Sequence, residues 1–79
     1  MRKPLEHYLA LEYPVLLVVE PEGGYTAFHP DLKGCVAVGE TPGEALANLK
    51  DARRLWLETA YEYGDEIPLP SVGLSGGVR

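Results

Sequence analysis

Apolar residues change their period along the chain, and each change marks an element. Leu5, Tyr8 and Leu9 recur at helical spacing behind Pro4, which suits a first helical turn, and they predict a short N-terminal helix. That helix ends by Tyr13, because the residue before Pro14 is pushed toward extended backbone. Residues 15–20 are rich in β-branched side chains and apolar on both faces, the pattern of an interior strand covered by a helix on at least one side. Pro21-Glu22-Gly23-Gly24 is turn chemistry, and residues 25–29 resume an extended pattern, which predicts an antiparallel hairpin. A second turn over residues 30–34 leads to a third strand over residues 35–39, with alternate side chains on opposite faces.

The clearest local signal follows. In Thr41-Pro42-Gly43-Glu44, Thr41 caps a helix, Pro42 fills its first position and Glu44 completes a capping box. On a helical wheel Ala45, Leu46, Leu49, Ala52, Trp56, Ala60 and Tyr63 share one face, and Lys50, Asp51, Arg54, Glu58 and Glu62 share the other. Gly64 stops the helix after about five and a half turns. Ile67-Pro68-Leu69-Pro70 predicts a short edge strand, where proline is tolerated, and residues 71–79 a flexible tail. The order α-β-β-β-α-(β) defines an α+β fold: a small antiparallel sheet of three to four strands packed by one long helix, with a short N-terminal helix. Residues 1–13 form the N-terminal helical segment, 14–70 the main domain and 71–79 the tail.

Length and charge narrow what such a domain does. A chain of 79 residues supports one thin core, and Cys35, its only cysteine, excludes an internal disulfide. Self-association is the expected route to extra stability, as a homodimer or a higher homo-oligomer. The net charge of −5 repels phosphate backbones and steers toward a basic partner, so direct nucleic-acid binding is not expected. Met1-Arg2-Lys3 is followed by Pro4, Glu6 and His7 in place of the apolar core of a secretion signal, and no run spans a bilayer. With one unpaired thiol, the cytoplasm is the expected location.

Four ordered segments then carry a resemblance: Gly23-Gly24-Tyr25-Thr26-Ala27, Pro30-Asp31-Leu32-Lys33-Gly34-Cys35, the stretch from Gly39 through Thr41-Pro42-Gly43-Glu44-Ala45 to Asn48, and Gly64 with Ile67-Pro68-Leu69-Pro70-Ser71. Together, over residues 13–71, they resemble the N-terminal domain of HicB-type antitoxins. The resemblance implies a partial, degenerate ribonuclease-H-like fold that binds and inhibits HicA. That partner is a small basic toxin that cleaves mRNA with a histidine. It also implies association into dimers or larger assemblies. Many HicB proteins add a C-terminal DNA-reading module; only nine residues follow Pro70 here, so the expectation is toxin inhibition without operator binding.

Ribonuclease H chemistry requires carboxylates converging on divalent ions, with an aspartate on the first strand. Val15-Leu16-Leu17-Val18-Val19 carries no acid, while Glu20, Glu40, Asp51 and Asp65 fall at scattered places, so no catalytic, metal or cofactor residue is assigned. His7 and His29 lack ligand-spaced partners and read as surface or hydrogen-bonded structural histidines. Cys35 reads as a small buried apolar residue, and Trp56 as packing. Asp31 is open to two readings, a turn-former or a loop carboxylate meeting a partner. Arg53 either runs past the core or pairs with an acid across a subunit boundary. Glu20, Glu22, Tyr25, Asp31 and Glu40, near the strand ends and loops, are the expected contacts with a basic toxin. The competing expectation is a homo-oligomeric interaction module of the same fold without a toxin.

Overall fold

A computed structural model describes residues 2–71. Five elements follow in order: α1 (Leu5–Leu9), β1 (Leu16–Val19), β2 (Tyr25–Phe28), β3 (Val36–Gly39) and α2 (Pro42–Glu62). The strands form an antiparallel meander in the order β1-β2-β3. Leu17 lies opposite Ala27, and Ala27 opposite Ala37. Gly23 and Gly24 both take positive φ in the turn between β1 and β2, a conformation that glycine adopts without steric cost. The expected α+β arrangement is therefore present. Beyond Ser71, the tail expected over residues 71–79 lies outside the described residues.

The long helix starts where the capping signal placed it. The Glu44 amide donates to Thr41 Oγ1 at 3.1 Å, and the Glu44 carboxylate accepts from the Glu40 amide at 2.6 Å. Only two residues separate β3 from α2, so the chain reverses at once and lays α2 over β3 and β2. The sheet has small residues beneath it, Ala27 and Ala37, and at Gly39 the approach is closest. A Cβ on Gly39 would overlap the backbone of Ala45, with Ala45 Cα only 2.8 Å away. The core between the layers consists of Ala27, Leu32, Cys35, Ala45, Leu49, Leu57 and Ala60, closed by Tyr13 and Ile67. Short α1 packs on the far half of α2, where Tyr8 meets Tyr61 and the Tyr61 hydroxyl donates to the Lys3 carbonyl at 2.9 Å.

Three expectations change. The first strand is not interior: β1 is an edge strand, and all four of its residues are exposed. Its continuous apolar run reflects surface that α2 does not reach. The buried stripe of α2 is Ala45, Leu49, Leu57 and Ala60, while Leu46 and Tyr63 from the expected stripe are exposed. Residues 67–70 form no strand. Instead Ile67 is buried and the Pro68 carbonyl accepts from the Tyr13 hydroxyl at 2.7 Å, which pins the post-helix segment across the bottom of the core.

Because the contact at Gly39 is backbone against backbone, no side-chain rotation relieves it. Gly39→Ala is expected to destabilise the fold by about 1–3 kcal/mol, lowering Tm by roughly 5–15 °C in a thermal melt followed by circular dichroism. An unchanged melt would show that the β3–α2 contact is looser than described.

Candidate functional site

The pairing register sorts the sheet into two unlike faces. Leu17, Val19, Tyr25, Ala27, Ala37 and Gly39 share the side on which α2 sits. Leu16, Val18, Thr26, Phe28, Val36 and Val38 share the other. The bulkier aliphatic side chains of β3 thus point away from the helix, and Val36 and Val38 are 50% and 64% exposed. Leu16 and Val18 extend the same surface across β1, at 50% and 41%. Large contiguous exposed apolar patches are characteristic of interaction surfaces. Round the β3 edge it meets a groove of about 530 Å³ in which Val36, Leu55 and Trp56 are followed by Asp65 and Glu66.

Acidic side chains collect at one end of the sheet, where β2 and β3 meet the start of α2. Glu20, Tyr25 and Glu40 line one cavity of about 360 Å³ with Thr26, Val38, Glu44 and Asn48. Thr26 Oγ1 donates to the Glu20 carboxylate at 2.6 Å, and Asn48 Nδ2 donates to the Val38 carbonyl at 2.8 Å. Of the residues expected to meet a partner, the structure brings together Glu20, Tyr25 and Glu40. Glu22 is exposed in the adjoining turn. Asp31 lies at the opposite end of β2, where its carboxylate accepts from the Ser71 amide at 2.8 Å. It fastens the post-helix segment and takes no part in the acidic end.

Sequence reasoning missed the apolar face, although its signal was present: apolar residues at both parities in β1 and valine at alternate positions of β3. In β1 that pattern was assigned to burial under a helix. Asn48 and the second role of Glu44 depend on how closely α2 passes β3, which no local pattern reveals.

Among the described residues no group of three or more His, Cys, Asp or Glu side chains could hold a metal ion. His29 is buried, its Nδ1 donating to the Pro14 carbonyl at 3.0 Å and its ring edge-on to Tyr13, so it serves the structure. His7 is exposed and stacks edge-on with Tyr8. Burial pushes the Cys35 thiol above its usual range, with Arg53 opposing, which disfavours the nucleophilic thiolate. The Trp56 indole donates to the Lys33 carbonyl at 2.9 Å and so braces the turn before β3.

Among the described residues the chain is a two-layer α+β domain whose outer sheet face is apolar and exposed, with acids at its end. Residues 13–74 match the HicB_like antitoxin of bacterial toxin-antitoxin system family, and the chain belongs to that family. It is 41% identical over 58 residues to a UPF0150 protein of Synechocystis sp., covering 73% of this chain and 80% of that protein. A UPF0150 protein of Thermoplasma acidophilum is 34% identical over 58 residues, with 73% and 84% covered. Antitoxin HicB of Escherichia coli K12 is 39% identical over 61 residues, which is 77% of this chain and 44% of that antitoxin.

Tyr13 offers a handle on the segment that Asp31 and Ile67 secure. Burial first, then the Asp31 carboxylate, hold its phenol above the usual value of about 10, against a weaker opposing effect of Arg53. The neutral phenol is the form the fold favours. Its contribution is complete below the ordinary tyrosine value and is lost as pH rises through the raised one. Tyr13→Phe is expected to cost about 1 kcal/mol near neutrality and to flatten the fall in stability above the ordinary tyrosine value. Denaturant titrations across that alkaline window check both; an equal alkaline loss in the variant would contradict the assignment.

Proposed function

We propose that this chain is the inhibitory partner of a HicA-type mRNA-cleaving toxin and that it acts without catalysis, by covering the toxin's active surface. The observation that carries the reading is the exposed face of Leu16, Val18, Val36 and Val38 with Glu20 and Glu40 at its end, in a chain of the antitoxin family with a net charge of −5. Apolar burial on the sheet face drives the association, at about 25 cal/mol per Å² of apolar surface removed from water. The acids steer a basic toxin into register and speed its arrival. Such a toxin holds a cationic surface for RNA, and a carboxylate rim competes for that surface without imitating the substrate.

The same reading places the protein in the cytoplasm, where the toxin's mRNA substrate is, and as a homo-oligomer. Among the described residues no helix is long and apolar enough to cross a membrane. A homo-oligomeric module of this fold without a toxin is the competing reading, favoured by one observation: an apolar sheet face also suits a second copy of itself.

Adding the chain to its cognate HicA-type toxin is expected to abolish RNA cleavage at about equimolar ratio. Val38→Lys should weaken inhibition at least tenfold, about 1.4 kcal/mol, because it sets a charge on the apolar face. Glu20→Lys with Glu40→Lys should slow association and reduce its dependence on salt. Undiminished cleavage with no detectable complex would remove the toxin reading in favour of the competing one.

A further inference from the structure

We infer that the groove between the start of β3 and the second half of α2 is a docking site for an extended segment of a basic partner polypeptide. One large aliphatic side chain of that segment lodges against Trp56, and a neighbouring lysine or arginine pairs with Asp65 and Glu66. That the partner is the toxin rests on the function proposed above, whereas the chemistry of the occupant rests on the groove itself.

The groove is built in advance of any occupant. Ala52, Leu55, Trp56, Thr59 and Ala60 lie three or four residues apart and form one stripe along α2. Ala52 and Ala60 keep its floor low, and across from them Gly34 has open space where a Cβ would stand. Leu55 projects from the helix without joining the core and is 65% exposed. The Trp56 indole is held by its bond to the Lys33 carbonyl at 2.9 Å, so the aromatic wall loses little freedom when a side chain arrives. At about 530 Å³ the groove falls within the size of ligand sites, about 300–1,000 Å³.

Charge and backbone select the occupant. Two exposed carboxylates, Asp65 and Glu66, stand where the groove meets the end of α2, and none of its lining residues is basic. An apolar segment that also carries a cation gains from both parts of the lining, and an acidic one is repelled. The His29 amide donates to the Cys35 carbonyl, which fixes the alternation of β3: Cys35, Ala37 and Gly39 bond toward β2, while the amide and carbonyl of Val36 turn away from it. An extended segment lying beside Val36 meets those backbone groups as well as the apolar stripe. Val36 also belongs to the outer sheet face, so a partner covering Val36 and Val38 reaches the groove without a break. Acids then stand at both ends of β3, Asp65 and Glu66 at its start and Glu40 and Glu44 past its end.

Trp56 is the chain's only tryptophan, so intrinsic fluorescence reads this groove directly. Titration of the full chain with a capped peptide bearing leucine between two arginines is expected to shift the emission to the blue and to saturate by low millimolar peptide. The same peptide with glutamates in place of the arginines should bind roughly tenfold more weakly. Asp65→Lys with Glu66→Lys should weaken the arginine peptide by roughly tenfold, and Leu55→Gln by roughly fivefold, with the circular dichroism melt unchanged. Leu46→Gln, exposed on α2 but outside the groove, should leave its binding as it is. Leu55→Gln should also raise the amount of chain needed to inhibit the toxin. Emission that does not respond to the arginine peptide, equal binding of the two peptides, or toxin inhibition untouched by Leu55→Gln would each overturn the proposal. A wild-type chain that forms no complex with the toxin removes the toxin reading and leaves the peptide titration to decide this one.

Discussion

The close seat of α2 on β3 governs the rest of the molecule. Gly39 has no room for a side chain, the cap at Thr41 and Glu44 fixes the helix start two residues later, and Asn48 ties the first turns back to Val38. A helix anchored so near β3 covers β3 and β2, with β1 left beside it. Among the described residues, the exposed β1 edge, the exposed outer face and the groove along Lys50 and Arg53 all follow from that one placement.

The distribution of side-chain size fits the same constraint. The helix-facing side of the central and third strands carries Ala27, Ala37 and Gly39 beside Tyr25, which permits close packing but buries little surface. Phe28, Val36 and Val38 fall on the opposite side with Leu16 and Val18 of β1, where each would gain about 1.5–3 kcal/mol on full burial. With only Leu32, Leu49 and Leu57 as large, fully buried side chains among the described residues, the core is thin. Surface left outside that core is available for association, as the size of the chain suggested.

Much of this was legible beforehand. The α2 start was readable because capping is local chemistry, and Gly64 marked its end for the same reason. The meander was readable from its turns. Which stripe of α2 is buried was read only in part, since Leu57 belongs to the core and Leu46 does not, and the rotation of the helix is set by its tether to β3. The exposure of β1 was misread, because a doubly apolar strand looks the same whether a helix or another polypeptide covers it. Asp31 was open between a partner contact and a structural role; its bond to the Ser71 amide spans 40 residues of sequence, a distance no local signal reports.

The central claim is that the large apolar residues opposite α2 are kept for another polypeptide. Methyl-resolved NMR of the chain titrated with its cognate HicA-type toxin addresses this at single residues. The account predicts that methyl signals of Leu16, Val18, Val36 and Val38 shift and broaden while those of Leu49 and Leu57 stay in place. Shifts confined to the α2 surface, with the outer sheet face unmoved in a tight complex, would contradict it.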